Sequence, residues 1–291
     1  MTEEELYGEV FPTAEEEAGC VAPAPATAQT RSASYRLAYA DEDFLLRDEL
    51  RPVRLQLELL KPELLQQDHG IHSTVVVFGS TRIPDPDTAA RRLEQAEARA
   101  AAQPADATLA RQERIARRVL EKTHYYNEAR ELGRLISTGS GRDDMPTMAV
   151  ITGGGPGLME AANRGAYDAG GKSIGLNIVL PMEQCPNDYL TPELSFRFHY
   201  FAIRKMHFLM RARALVVFPG GYGTLDELFE TLTLIQTKKV KPVPVLLFGR
   251  EYWERIVNFD ALVDEGTIHP RDIDLFRYVE TAAEAWAAIQ S

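Results

Sequence analysis

Residues 214–227 read Ala-Leu-Val-Val-Phe-Pro-Gly-Gly-Tyr-Gly-Thr-Leu-Asp-Glu. The stretch begins with an apolar run that predicts a buried strand, passes through glycines, and ends in a helical pattern. A strand that enters a helix through a glycine turn is the repeating unit of parallel α/β sheets. The stretch therefore predicts an α/β fold.

Similar apolar runs occur elsewhere in the chain and alternate with helical patterns. They span residues 74–78, 149–152, 173–179 and 243–248, in addition to 214–218. This alternation predicts a doubly wound, Rossmann-like parallel sheet with helices on both faces. Residues 87–136 predict two helices with a break near Gln103-Pro104, and residues 250–263 and 281–290 predict closing helices.

The N-terminal part differs in composition from this body. Residues 1–35 contain seven Glu against one Arg and then many Ala, Pro, Thr and Ser residues, which predicts a disordered acidic tail. Leucines within residues 36–72 predict a helical N-terminal extension, with two short helices that carry Pro52 and Pro62 near their first turns. Residues 73–291 then form the predicted Rossmann-like domain.

Composition excludes several classes of protein. The 291 residues carry a formal net charge of -11, which argues against wide contact with nucleic acid. No apolar run is long enough for a bilayer span and the first residues lack a signal-peptide pattern, so we expect a cytoplasmic protein without a membrane anchor. The two cysteines, Cys20 and Cys185, match no metal-ligand spacing, and we predict neither a metal nor a cofactor.

Two glycine loops follow predicted strands and precede predicted helices. One is Gly153-Gly154-Gly155-Pro156-Gly157, and the other lies within Pro219–Thr224. Backbone amides and a helix dipole favour an anion at such turns, although tight turns alone would also require glycine. The first loop lacks the last glycine of G-x-G-x-x-G and has no acidic residue after the next strand, which disfavours a dinucleotide oxidoreductase.

The helix after the second loop has an apolar and a polar face. The apolar stripe at helical spacing, predicted to be buried, consists of Leu225, Leu228, Phe229 and Leu232, and the polar face of Thr224, Glu227, Glu230 and Thr231. Thr224-x-x-Glu227 fits a capping box, in which the two side chains bond to backbone amides. A phosphate on those amides would instead leave Glu227 free, one turn away and near a ribose. Both interpretations remain open from the sequence.

A basic pair, Arg204-Lys205, lies in the otherwise apolar helical stretch 201–210. Three roles are open for this pair. The two side chains could belong to the anion-binding site, they could extend past apolar surface to reach solvent, or they could form a salt bridge to Glu227 or Glu230. His199 and His207 lie in no metal or catalytic-triad spacing, and we expect them to be packed or hydrogen-bonded.

The segment Pro219-Gly220-Gly221-Tyr222-Gly223-Thr224-Leu225-Asp226-Glu227, with Gly153-Gly154-Gly155 and Arg204-Lys205 upstream, resembles the LOG (Lonely Guy) family of nucleotide phosphoribohydrolases. It matches the family pattern P-G-G-x-G-T-x-x-E, and the similarity extends from about residue 73 to residue 266. Members of this family are often mislabelled lysine decarboxylases. The chain has no His-Lys pair of the kind a pyridoxal enzyme of that type carries.

The resemblance implies hydrolysis of the N-glycosidic bond of a nucleoside 5'-monophosphate, AMP or an N6-modified AMP as in cytokinin biosynthesis, to free base and ribose 5-phosphate. It implies catalytic roles for Glu227 and Arg204, and homo-oligomers. The residues it places around the substrate are Lys205, Gly220, Gly221, Tyr222, Gly223, Thr224, Asp226, Thr233, Gly153, Gly154 and Gly155. Hormone-releasing members usually have Met-His where this chain has Phe201-Ala202, so the base does not follow from the resemblance.

A second hypothesis is a non-catalytic carrier or sensor of a nucleotide or of molybdenum cofactor on a similar fold. Both hypotheses predict the glycine loops. They differ at Glu227, because Glu227→Ala abolishes turnover and spares nucleotide affinity only if the protein is an enzyme.

Overall fold

The computed structural model describes residues 13–15, 25–141, 146–180 and 185–291. The described residues divide into two compact units at the boundary between Arg54 and Leu55. Most of the acidic tail predicted to be disordered, including Cys20, lies outside the described residues.

The first unit contains short helical segments held by local polar contacts. Helix α1 spans Glu42–Leu45, and the carboxylate of Asp41 accepts a hydrogen bond from the Phe44 amide at its N-terminus. Single 3₁₀ turns span Ala33–Tyr35, Ala38–Ala40 and Asp48–Leu50. A carboxylate at a helix start satisfies amides that have no partner within the helix, which is why such short segments form here.

The longest N-terminal helix, α2, spans Arg51–Asp68 and crosses from the first unit into the second. Two helices, α1 and α2, lie in the region predicted to contain two short helices, but the second is not short because it continues through Pro62. Pro52 lies in the first turn as expected, but Pro62 lies in the interior. A proline has no N–H, so the Glu58 carbonyl loses its helical donor. The Nε2 of His207 lies 3.3 Å from that carbonyl oxygen and donates to it, which satisfies the oxygen and lets the helix continue.

The second unit is built on strands and helices that alternate along the chain. The strands are β1 (Ser73–Phe78), β2 (Met148–Thr152), β3 (Ser173–Ile178), β4 (Ser195–Phe198), β5 (Ala212–Val217), β6 (Val245–Phe248) and β7 (Arg277–Val279). The helices are α3 (Pro86–Ala102), α4 (Ala107–Glu121), α5 (His124–Gly139), α6 (Leu158–Asp168), α7 (Phe201–Met210), α8 (Tyr222–Gln236), α9 (Arg250–Ile256), α10 (Phe259–Asp264) and α11 (Ala282–Gln290).

Within the described residues, the strands form one seven-stranded sheet in the order β4-β3-β2-β1-β5-β6-β7, and every neighbouring pair is parallel. Successive residues of β1 point to opposite faces, so that Val75 and Val77 pack with α5, α6 and α11. Val76 and Phe78 pack on the other face, in a core to which α7, α8, α9 and α10 contribute. Helices therefore cover both faces, which confirms the doubly wound fold.

Several element boundaries differ from the sequence predictions. The five predicted strands are present, whereas β4 and β7 were missed because they are short edge strands with charged residues. Residues 87–136 contain parts of three helices, because a turn at Lys122 and Thr123 separates α4 from α5. Residues 250–263 form two helices, α9 and α10. The second begins after Asn258, whose side chain accepts a hydrogen bond from the Ala261 amide at 3.0 Å and caps the helix.

The sheet order reverses between β1 and β5. The chain moves outward from β1 to β2, β3 and β4 and then returns to the other side of β1. The loops that follow these two strands are joined, since the Ser80 amide donates to the Pro219 carbonyl at 2.9 Å. Ligands of open parallel sheets bind at such a reversal, at the carboxyl ends of the strands. No helix in the described part of the chain is long and apolar enough to cross a membrane.

Candidate active site

A cavity of about 510 Å³, here called the main cavity, lies at the reversal between β1 and β5. The loop after β1, the start of α8 and parts of α6 and α7 form its walls. It is lined by Phe78, Gly79, Ser80, Thr81, Arg82, Met159, Phe201, Arg204, Gly221, Tyr222, Gly223, Thr224, Asp226 and Glu227. The structure thus brings Arg204 and Glu227 together with most of the predicted glycine loop.

The N-terminus of α8 offers backbone donors to this cavity. Gly221 precedes the helix, and its carbonyl accepts from the amides of Thr224 and Leu225, both at 3.0 Å. Among the described residues, no acceptor lies within bonding distance of the amides of Tyr222 and Gly223. Unpaired amides and the positive end of the helix dipole favour an anion at this position.

Gly220 holds the loop in this conformation. A Cβ atom at Gly220 would overlap the side chain of Thr224, so only glycine permits this close approach. The phenolic hydroxyl of Tyr252 donates to the Gly220 carbonyl at 2.6 Å. The carbonyl is therefore occupied by Tyr252, and the amides of Tyr222 and Gly223 that follow remain available.

The predicted capping box does not form. Helix α8 begins at Tyr222, so Thr224 lies inside its first turn, and no side chain caps the helix. The predicted buried stripe is present except at Phe229: Leu228 is fully buried and Leu225 and Leu232 pack against the core, whereas Phe229 is 37% exposed. Glu227, assigned to the polar face, is only 5% exposed. The polar face points inward because the basic pair on α7 lies opposite it, which provides charged partners for Glu227.

Lys205 is the centre of a carboxylate cluster. Its Nζ lies 2.8 Å from Asp226, 3.3 Å from Glu227 and 2.5 Å from Glu230. The salt bridge expected as an alternative role for the basic pair is thus present at Lys205. Burial opposes the charge of Lys205, but hydrogen bonds to Asp226 and Glu230 outweigh it and raise the pKa of the lysine.

Glu227 experiences opposing effects. Burial raises the pKa of its carboxyl group above the ordinary value near 4.5, and the charges of Lys205 and Arg204 lower it without cancelling the shift. A raised pKa in a cavity is typical of a group that exchanges protons or stabilises a developing charge. The charges of Lys205 and Arg204 thus favour the ionised form of Glu227, and burial opposes it.

Arg204 is the second cation, and it has no such carboxylate cluster. In the described chain, no carboxylate lies within ion-pair distance of its guanidinium. Its Nε donates to the Leu176 carbonyl at 2.7 Å, and its guanidinium carbon lies 5.0 Å from the ring centre of Phe208. Burial lowers the pKa of Arg204, and the charges of Glu227 and Asp226 oppose that effect. The group remains cationic, because the ordinary pKa of an arginine lies far above neutral pH.

The first glycine loop supports Arg204. A Cβ atom at Gly153 would lie 2.8 Å from Nη2 of Arg204, so glycine makes room for the guanidinium. The Gly154 amide donates to the hydroxyl of Thr152 at 3.0 Å, and Asn187 donates to the carbonyls of Gly154 and Gly155, each at 3.2 Å. These polar groups of the loop are occupied by the protein itself, so the loop has a structural role in this conformation.

The remaining predicted residues lie at or beyond the edge of the main cavity. Lys205 and Gly220 do not line it but contact residues that do. Tyr222 is 93% exposed at its rim. Thr233 is exposed and donates to the Phe229 carbonyl at 2.7 Å, so the structure does not bring it to the cavity wall.

Sequence analysis missed the loop after β1. Ser80, Thr81 and Arg82 line the main cavity, and the Arg82 amide donates to the Ser80 hydroxyl at 3.1 Å. The signal was available, because Gly79-Ser80 follows the first predicted strand as the other glycines follow theirs. Phe201 also lines the cavity and is 50% exposed. Within the described residues, no group of three His, Cys, Asp or Glu side chains is placed to hold a metal ion.

Comparison with solved structures gives limited similarity. A structural genomics target, TM1055, has a TM-score of 0.46 and 23% identity over 75% of this chain and 98% of that chain. The molybdenum cofactor carrier protein of Chlamydomonas reinhardtii has a TM-score of 0.41 and 19% identity over 75% of this chain and 96% of that chain.

Comparison with known sequences is more specific. A family model described as "Possible lysine decarboxylase" matches residues 159–289. LOGL5 of Oryza sativa, named as a probable cytokinin riboside 5'-monophosphate phosphoribohydrolase, is 33% identical over 124 residues. The alignment covers 42% of this chain and 49% of LOGL5, so this chain spans about half the length of that relative. LOG3 of Arabidopsis thaliana, a cytokinin riboside 5'-monophosphate phosphoribohydrolase, is 31% identical over 56% of this chain and 74% of its own length. The chain therefore belongs to the LOG family.

Proposed function

We propose that this protein hydrolyses the N-glycosidic bond of a nucleoside 5'-monophosphate, AMP or an N6-modified AMP, to free base and ribose 5-phosphate. One observation carries the proposal: a buried carboxylate, Glu227, lines the main cavity one turn from the unpaired amides at the start of α8. The named activities of the LOG relatives agree with it at family level.

The 5'-phosphate would bind where α8 begins. The amides of Tyr222 and Gly223 are available as donors there, and the helix dipole adds about 0.3–1 kcal/mol per anionic charge. Binding of the phosphate fixes the ribose and orients the anomeric carbon at the other end of the sugar. The binding energy of the phosphate is thus used to position the reacting bond. One helical turn, about 5.4 Å, separates these donors from the position of Glu227 on the same helix.

Glu227 would act on the sugar and on water. Breaking the bond builds positive charge on the ribose ring, and an ionised carboxylate beside it stabilises that charge. The oxygen of water forms the new bond to C1', the electrons of the C1'–N bond leave with the base, and the proton lost by water ends on the base. Glu227 accepts that proton from water in this scheme.

Arg204 would keep the charges at the site balanced. It lines the same cavity, and its charge lowers the pKa of Glu227. Its Nε is occupied by the Leu176 carbonyl, which fixes the direction in which the two terminal nitrogens extend. Those nitrogens can donate to the oxygens of the ribose or of the phosphate.

The test is release of base and ribose 5-phosphate by the purified full-length protein from AMP, N6-modified AMP, GMP and CMP. We expect turnover of at least one purine monophosphate. Glu227→Gln should reduce kcat by about 10²–10⁴-fold, the usual contribution of a general base, while AMP affinity changes only a few-fold. Glu254→Gln, which changes an exposed carboxylate on α9, is the matched control and should retain full activity.

The results also separate the enzyme from the carrier hypothesis. A wild-type protein that binds AMP but releases no base from any monophosphate would contradict the proposal and favour a carrier. Equal activity of Glu227→Gln and wild type would leave the reaction in place but remove Glu227 from it.

A further inference from the structure

A second cavity, of about 270 Å³, adjoins the main cavity on the side of α4. We call it the cation cavity because its charged wall residues are Arg82, Arg118 and Lys122. Ser80, Arg82 and Gly221 line both cavities, so the two share a wall directly beside the start of α8. A ligand anchored at α8 therefore has the cation cavity as its neighbour.

The three cations have no carboxylate partner. No carboxylate lines the cation cavity, and within the described residues none lies within ion-pair distance of Arg82, Arg118 or Lys122. The adjacent Arg117 behaves differently, because it pairs with Glu97 at 2.7 Å and with Glu113 at 3.0 Å.

Local electrostatics favour an anion in the cation cavity. Burial lowers the pKa of Lys122, and the charges of Arg118 and Arg255 lower it further, with Glu121 and Glu251 acting in the opposite direction. The Nζ of Lys122 donates to the backbone carbonyl of Arg118 at 3.0 Å, which holds the Lys122 side chain at the end of α4. Arg82 and Arg118 are exposed and Lys122 is partly buried, and an anion in the cavity would offset the repulsion between Lys122 and Arg118.

The cation cavity is large enough for a phosphate group. Its volume of about 270 Å³ is several times the ~30 Å³ that one water molecule occupies in the liquid. Its wall beside the helix start is held in place, since the Tyr252 hydroxyl bonds to the Gly220 carbonyl. A phosphate there would meet guanidinium groups, whose planar donors suit phosphate oxygens.

We propose that this protein binds nucleoside 5'-diphosphates, with the first phosphate at the start of α8 and the second in the cation cavity between Arg82, Arg118 and Lys122. The inference rests on the proposed function for the place of the first phosphate. It adds a ligand class to that function, because a diphosphate would occupy both cavities whereas a monophosphate occupies only one. Nucleoside 5'-diphosphates therefore bind more tightly than the monophosphates and compete with them.

Calorimetric titration of the full-length protein with AMP, ADP, inorganic phosphate and inorganic pyrophosphate tests this. Wild type should bind ADP about tenfold more tightly than AMP, a ratio that corresponds to about 1.4 kcal/mol. The double variant Arg118→Gln/Lys122→Gln should lose that preference, while its AMP affinity changes less than about threefold. Arg111→Gln/Arg114→Gln removes the same charge from exposed positions of α4 that do not line the cavity, and it should retain the preference for ADP.

Each outcome decides the proposal. Equal or weaker binding of ADP relative to AMP in wild type overturns it, and so does a preference for ADP that survives in Arg118→Gln/Lys122→Gln. Hydrolysis of AMP without an ADP preference would leave the proposed function intact and remove only this inference. Binding of pyrophosphate that depends on Arg118 and Lys122, in a protein that neither binds nor hydrolyses AMP, would contradict the proposed function and retain the cation cavity as a diphosphate site.

Discussion

At the scale of single residues, the site depends on how one carboxylate is buried and charged. Glu227 is almost fully buried, and Lys205 and Arg204 only partly offset the effect of burial on its pKa. Lys205 in turn contacts two further carboxylates, Asp226 and Glu230. Because Lys205 is shared by three carboxylates, its charge offsets only part of the effect of burial on Glu227. The pKa of Glu227 therefore stays raised although the Nζ of Lys205 lies 3.3 Å away.

The pH dependence of the proposed reaction should reflect this balance. Because the pKa of Glu227 is raised, kcat/KM should fall with decreasing pH already above the range of an ordinary carboxyl group near 4.5. Lys205→Met removes a cation that lowers that pKa, so the acid limb should move to higher pH. Lys239→Met, at an exposed position, is the control and should leave the profile unchanged. An acid limb that does not move in Lys205→Met would contradict the role assigned to this ion pair.

The same shift predicts an effect on stability. The folded-state pKa of Glu227 lies above the unfolded value, so between the two values the native state binds more protons and its stability falls as pH rises. Above both values the buried charge is a constant cost. Glu227→Gln removes that charge, so at pH 7.5 its Tm should equal or exceed that of wild type, as measured by calorimetry. A Tm several degrees lower would indicate that the pair with Lys205 outweighs the cost of burial.

At the scale of secondary-structure elements, α2 positions the helix that carries the basic pair. The Glu58 carboxylate on α2 accepts from the amides of His199 and Tyr200, at 2.7 and 2.9 Å, where α7 begins. The interior Pro62 frees the Glu58 carbonyl for His207 on the same helix α7. Both contacts fix α7, and with it Arg204 and Lys205, relative to the sheet.

Glu58→Gln should therefore loosen α7. The amide can accept only with its oxygen and carries no charge, so we expect a loss of about 1–2 kcal/mol in the free energy of unfolding. The kcat of the proposed reaction should fall a few-fold as Arg204 and Lys205 become less well placed. Urea denaturation and AMP turnover measure the two effects, and Glu265→Gln, exposed after α10, provides the control. Wild-type stability in Glu58→Gln would show that the carboxylate charge does not hold α7.

The contact between α9 and the glycine loop gives another prediction. Tyr252→Phe removes the hydroxyl that donates to the Gly220 carbonyl and leaves that carbonyl free to turn. We expect KM for AMP to rise about fivefold with a smaller change in kcat, since one hydrogen bond contributes about 1 kcal/mol and the loop binds the phosphate. Steady-state kinetics measure this, with Tyr167→Phe on an exposed tyrosine as control. A change confined to kcat would indicate that the loop acts on the reaction and not on phosphate binding.

At the scale of the whole molecule, the stability of the fold resides in the second compact unit. Every buried residue of both apolar cores lies at Ile71 or later in the chain. Burial of apolar surface is the main source of stability, at roughly 25 cal/mol per Å². Among its described residues, 13–15 and 25–54, the first unit contributes none to either core. Assembly into homo-oligomers and a cytoplasmic location remain predictions.

Removal of residues 1–47 should thus leave the domain folded and active. The shortened chain retains all of α2, including Glu58 and Pro62, so the supports of α7 persist. We expect a Tm within about 2 °C of the full-length protein, the shift that roughly 0.5 kcal/mol produces in a domain of this size, and unchanged AMP turnover. Calorimetry and the base-release assay check both. Loss of either would assign the N-terminal residues a part in the catalytic domain.

The sequence alone left two roles open for Glu227, but it predicted the parallel sheet and the glycine turn before α8, because both depend on residues close together in the chain. The short edge strands and the interior Pro62 escaped prediction for the opposite reason: distant partners stabilise them. Only the tertiary structure brought Ser80–Arg82 to the site, gave Lys205 its three carboxylates, and placed Arg118 and Lys122 beside Gly221. Such contacts arise from packing of helices across the sheet, and no local periodicity encodes which charged side chains then meet.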